Sequence, residues 1–230
     1  MQSPIVSPQR RQIWHRLVLF GTPVTLVILE LGHPLLDHMN TIRMLTPIVT
    51  WWIILHMLLI PLFALMGYSL FLLLRGVHNL AATTSRCATV IFVAFEVGYD
   101  TAVGLNSGIL VSNASTLPAT QQAVIQQALH QLFVNPAIVL SYYILFIAGI
   151  VAICSAAWAL YRAGVPRLPV FVLLGTVLAT YSHALPFGPL GSTCFLISAL
   201  WIELVWRKSP HVQANSVAAS SVPIPTEASP

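Results

Sequence analysis

Residues 47–74 read PIVTWWIILHMLLIPLFALMGYSLFLLL and contain no Lys, Arg, Asp or Glu. A helix that crosses a bilayer needs about 20 mostly apolar residues. At about 1.5 Å per residue this run would be about 42 Å long, which exceeds the hydrocarbon thickness of about 30 Å. We therefore predict a transmembrane helix that tilts, protrudes or kinks at Pro61.

The composition of the whole chain agrees with this segment. Hydrophobic residues make up 57% of the sequence and charged residues only 7%, whereas soluble domains carry about 25% charged residues. Because so few charges cannot cover a soluble surface, lipid must be the solvent for most of the molecule. The predicted fold is all-α, a polytopic integral membrane bundle whose main partner is the lipid bilayer.

Together with 47–74, the other apolar segments predict six transmembrane helices in one membrane domain, residues 1–208. Proline or a short polar segment precedes most of them. Between the third and fourth spans, apolar residues recur every four positions against glutamines, which predicts an amphipathic outer-side helix over about 119–133. The tail, 209–230, lacks periodicity and is predicted to be disordered and cytoplasmic. The predicted spans are approximately 16–34, 47–74, 86–111, 136–161, 168–184 and 189–206.

The basic residues predict the orientation of these spans. If the N-terminus is cytoplasmic, nine of the ten Lys and Arg residues are cytoplasmic and only Arg43 is outside. Such a bias is typical of multi-pass proteins of the cell membrane, here with both termini in the cytoplasm. Because the basic residues occur in ones and twos beside apolar segments, the net charge of +4 gives no indication of nucleic-acid binding.

Ionisable residues within the spans are the candidate functional residues, because a charge in the membrane is costly and usually has a partner or a role. Counted along ideal helices, they lie in the outer half of the membrane on four different spans. We expect them to face the bundle interior and to form an outward-facing site, with Asp37 and His38 at its mouth. The five candidates are Glu30, His33, His56, Asp100 and His183.

Several functions are compatible with this set. Carboxylates and histidines suit proton relay or the transport of ions or small solutes, which the pattern slightly favours over an enzyme. The alternative is a divalent metal or haem bound by His33, His56 and His183, and a metal-dependent membrane hydrolase is one form of this alternative. The same residues also fit a purely structural role in fixing helix packing. Small residues spaced four apart, such as Gly104 and Gly108, allow close helix contacts within one chain or in a homo-oligomer.

Overall fold

A computed structural model describes residues 8–208 of the chain, and the regular secondary structure of this part is helical, without strands. The predicted disordered tail lies outside the described residues. Seven helices follow one another: α1 (8–31), α2 (Thr41–Leu73), α3 (Leu80–Ala114), α4 (Ala119–Val134), α5 (Pro136–Arg162), α6 (Arg167–Tyr181) and α7 (Phe187–Trp206).

Five of these helices are long and apolar enough to cross a membrane: Gln12–Leu31 of α1, together with α2, α3, α5 and α7. Helix α6 is apolar but shorter, and it is interrupted between Leu174 and Val177. Large apolar side chains such as Ile28 and Phe171 are exposed on the outside of the bundle. A lipid environment explains this exposure, since hydrocarbon is the solvent that such side chains favour.

Local sequence signals explain where the helices begin and end. The side chain of Asn79 accepts a hydrogen bond from the Ala82 backbone N–H at the start of α3. Asn135 does the same for Ala137 at the start of α5, where Pro136 occupies the first helical position. Helix α1 ends at Leu31, before residue 34 of the predicted span, because a proline disfavours helical geometry at the preceding residue.

The most extensive helix contacts are those of α3 with α5 and with α2, and α7 packs against both α6 and α1. The Ser85 hydroxyl of α3 donates a 2.8 Å hydrogen bond to the Ala152 carbonyl of α5. Ala148, Ala152 and Ala156 are buried within this one chain, so the small-residue face of α5 packs against its own neighbours. Helix α4 lies across one end and packs on the beginning of α2, the end of α3 and the beginning of α5.

Arginine side chains gather at the opposite end of the bundle, around the C-terminus of α2. Arg86 of α3 donates to the carbonyls of Leu74 and Val77, and Arg207 donates to those of Leu73 and Arg75. Glu203 of α7 pairs with both Arg75 and Arg207. These cations satisfy carbonyls that the end of a helix leaves without intrahelical partners.

Candidate metal centre

Three histidine side chains converge in the half of the bundle next to α4. His33 follows the end of α1, His56 lies within α2, and His183 follows the end of α6. One ring nitrogen from each of the three lies within 4.8 Å of the other two. His33 and His56 are buried, while the side chain of His183 is 18% exposed. Residues remote in sequence thus place three potential ligand atoms around one point.

The other ring nitrogens have oxygen partners that fix the orientation of the rings. His33 Nδ1 lies 2.9 Å from the Pro34 carbonyl oxygen, and His56 Nδ1 lies 2.8 Å from the Trp52 carbonyl oxygen. A carbonyl can only accept a hydrogen bond, so each Nδ1 must carry the proton. The Nε2 atoms of His33 and His56 therefore direct lone pairs toward the common point. This is the arrangement that metal-binding histidines adopt.

Two carboxylates of α3 complete the cluster. Asp100 Oδ1 lies 3.6 Å from His56 Nε2 and 3.9 Å from His183 Nε2. Glu96 Oε1, one turn earlier, lies 3.8 Å from His183 Nδ1. Both acids are buried, and among the described residues Asp100 Oδ2 has no hydrogen-bond partner. Glu96 thus lies beside Nδ1 of His183, while Asp100 lies beside the converging nitrogens.

The shape of α3 makes this cluster possible. The helix widens into a π-helical turn over Asp100–Leu105, a feature that often accompanies functional sites. The Gly104 carbonyl in this turn accepts a 2.7 Å hydrogen bond from Trp52 Nε1. A side chain at Gly104 would collide with the His56 ring. Glycine and the widened turn therefore let α3 approach α2 closely enough to bring Asp100 beside His56.

The distances fit a small metal ion. Zinc–nitrogen bonds of about 2.0–2.1 Å in a tetrahedron place the ligand atoms about 3.3 Å apart. His33 Nε2 and His183 Nε2 are 3.1 Å apart, and the ligand atoms of all three histidines lie within 4.8 Å of one another. Inward shifts of these three side chains would bring their nitrogens to bonding distance of one ion and leave a fourth coordination position open. Nitrogen-rich sets of this kind suit zinc and neighbouring transition metals rather than magnesium or calcium.

Glu30, the fifth candidate, occupies a different pocket. Its side chain is fully buried and accepts a 2.8 Å hydrogen bond from the Ser192 hydroxyl of α7, while its Oε1 has no hydrogen-bond partner within residues 8–208. It lines a small cavity of about 50 Å³, in which the Thr176 hydroxyl also lacks a partner in that part of the chain. A second cavity lies at the histidine cluster. Thr180 lines both cavities, so they are neighbours.

A larger cavity of about 250 Å³ joins the histidine cluster to the surface. His38 lines this cavity, whereas Asp37, which we also expected at the mouth, does not. Asp37 lies in an exposed turn instead, because α1 has already ended and no helical face continues from Glu30 through His33. The Asn40 side-chain amide and the Met39 backbone N–H hold the pKa of Asp37 below its usual value.

The structure also brings in a residue that the sequence analysis left out of the candidate set. Glu96 precedes Asp100 by four residues, a spacing that places both side chains on one helix face. That spacing was the available signal for a role of Glu96 at this site.

Comparisons with known protein families, curated proteins and solved structures find no match to this chain.

Proposed function

We propose that this protein is a membrane-embedded metalloprotein whose histidine centre binds one zinc-class divalent ion through His33, His56 and His183. The observation that carries the proposal is the convergence of three ring nitrogens within 4.8 Å. A single ion fits this geometry better than haem. The flat haem ring would have to fit between the histidines that ligate its iron, and these histidines lie too close together for that.

The centre has the parts needed to activate water. Three histidines leave a coordination position open, as in catalytic zinc sites, where the metal lowers the pKa of bound water to about 7. Asp100, whose second oxygen lacks a partner, lies beside that position and can accept the proton. We therefore favour metal-assisted hydrolysis as the activity.

The buried Glu30 pocket favours a second candidate function, proton or cation movement. A carboxylate with an unpartnered oxygen lies in a cavity next to the histidine centre, further from α4. Polar groups in series across a bundle are typical of transport pathways. Against this, fully buried apolar side chains, among them Leu73, Leu160 and Phe195, fill the bundle between this pocket and the arginine-rich end.

For the topology, we propose six spans with both termini cytoplasmic, in a cell membrane. Arg75, Arg86 and Arg207 meet at the end of the bundle opposite α4, which is the positive side expected to face the cytoplasm. The metal centre would then lie in the outer half of the membrane. Helix α6 would be the sixth span, packed against α7 and α5.

Elemental analysis of the detergent-purified full chain tests metal binding directly. We expect close to one zinc per chain after equilibration with zinc and removal of the excess. The triple variant His33→Ala/His56→Ala/His183→Ala should retain none, while His78→Ala, which removes an exposed histidine outside the cluster, should retain the full amount. Equal metal content in the wild type and the triple variant would refute the proposed centre.

A further inference from the structure

The cavity above the metal centre runs from a polar floor to an apolar rim. Its floor contains the three histidines with Glu96 and Asp100. Its walls and rim are lined by Leu35, Leu36, Phe133, Tyr142 and Tyr181, of which Leu35 is 65% and Tyr181 51% exposed. A molecule that fills this cavity must present a polar group to the floor and an apolar part to the rim.

The charges around the cavity restrict the polar group. Two carboxylates lie at the floor, and the lining residues that the structure describes include no Lys or Arg. Phosphate-binding sites typically use basic side chains or helix N-termini. A phosphate or carboxylate group would meet repulsion from Glu96 and Asp100 without a compensating cation other than the metal. An uncharged acyl group, an ester or an amide, fits better.

A row of aromatic rings connects the floor to the lipid-facing surface. Ring centroids lie 5.8 Å apart for Tyr99 and Tyr142, 6.1 Å for Phe146 and Tyr181, and 5.1 Å for Tyr181 and Phe187. The Tyr142 hydroxyl donates a 2.9 Å hydrogen bond to the Tyr181 carbonyl and joins α5 to α6 at the rim. Aromatic residues with polar tips are favoured where hydrocarbon meets water. The rim thus suits an acyl chain that stays in the bilayer.

We propose that the metal centre hydrolyses the acyl ester or amide bond of an uncharged amphiphile that enters from the outer leaflet. This inference rests on the proposed metal centre. Asp100 takes a proton from the metal-bound water, and the resulting hydroxide oxygen forms a bond to the acyl carbon. The bond from that carbon to the alcohol oxygen or amine nitrogen then breaks. The leaving group takes the proton from Asp100, so the products are a carboxylic acid and an alcohol or amine.

The roles of the two carboxylates differ. Asp100 is the catalytic residue, because it lies beside the position that a metal-bound water would occupy. Glu96 is a positioning residue, because it contacts His183 from the side that faces away from the other rings. Asp100→Asn should keep the metal and lose about 100-fold or more in hydrolysis, a typical loss for a general base.

Liposomes that contain the zinc-loaded full chain test the proposal with two fluorogenic probes, a palmitoyl ester and a palmitoyl amide of a coumarin. We expect cleavage of at least one, unchanged in His78→Ala, reduced about 100-fold in Asp100→Asn and absent in the triple histidine variant. The water-soluble coumarin phosphate should not be cleaved.

The outcomes separate this inference from the metal proposal. A chain that holds one zinc but cleaves neither palmitoyl probe would overturn the hydrolytic inference and leave the metal centre standing. Cleavage of the phosphate probe in preference to the palmitoyl probes would also overturn it, since the substrate class would then be wrong. A chain that holds no zinc would overturn the metal centre itself.

Discussion

The Nε2 atoms of His33 and His183 lie 3.1 Å apart, although 150 positions separate these residues in the sequence. Each residue directly follows the end of a helix, where the backbone is irregular. Two nitrogens this close require a proton or a metal ion between them, because two facing lone pairs repel. The irregular backbone after two helix ends therefore brings two potential ligand atoms together.

Gly104→Ala should damage the centre. The added methyl group would collide with the His56 ring, and overpacking of this kind costs about 1–3 kcal/mol. We expect a lower thermal unfolding midpoint in detergent and loss of bound zinc. Gly98→Ala in the same helix is the matched control, because no atom of another helix within the described residues lies within 4 Å of its added carbon. Two variants with the wild-type zinc content would argue against the close packing of Gly104 on His56.

Glu96→Gln should weaken metal binding without abolishing it. Loss of a partner behind a metal-binding histidine typically reduces affinity about 10–100-fold. Zinc competition titrations with a fluorescent chelator would measure the change. Glu30→Gln makes the same chemical change in the neighbouring pocket and should leave the affinity unaltered. Equal affinities for both variants would mean that Glu96 does not orient His183.

Zinc should stabilise the wild-type protein against heat. A ligand that binds only the folded state at 100 times its dissociation constant adds about 2.7 kcal/mol to the free energy of unfolding. Thermal unfolding in detergent, after chelation and again after addition of zinc, should show a reversible rise in the midpoint. Magnesium should have little effect, because the ligands are nitrogen-rich. An equal rise in the triple histidine variant would place the stabilising ion elsewhere.

Arg207→Ala should destabilise the end of the bundle opposite the metal centre. Its side chain donates to the carbonyl of the buried Leu73 and to that of the exposed Arg75, and a buried carbonyl left unpaired costs about 1–3 kcal/mol. The exposed neighbour Lys208 provides the control, since Lys208→Ala should change stability by no more than about 0.5 kcal/mol. Zinc content should stay the same in both variants, because neither residue lies near the histidines.

Much of the fold could be predicted from the sequence because lipid imposes simple rules. Long charge-free segments such as 47–74 must be helical to satisfy their backbone hydrogen bonds in hydrocarbon. The five candidate spans and the all-helical structure follow from this constraint. The count of six spans, the orientation and the roles of the site residues stay predictions.

The sequence allowed only part of the site's residue set to be predicted. Helix rise predicts the depth of His56 and Asp100, but helix packing order decides which residues meet at that depth. Glu30 has a similar predicted depth and nevertheless faces Ser192 in its own pocket. The π-helical turn that begins at Asp100 rotates the following residues and places Gly104 against His56. No periodicity in the sequence predicts this turn.

The histidine cluster can form only late in synthesis, because its three members lie far apart along the chain. Its first two members, His33 and His56, are synthesised with the first helices, while His183 follows only after more than a hundred further residues. Helix α1, which leads to His33, packs against α7, the last helix within residues 8–208. If the three histidines bind a metal as proposed, they can enclose it only after His183 has been inserted, so metal content would separate fully assembled protein from chains that stopped after the first helices.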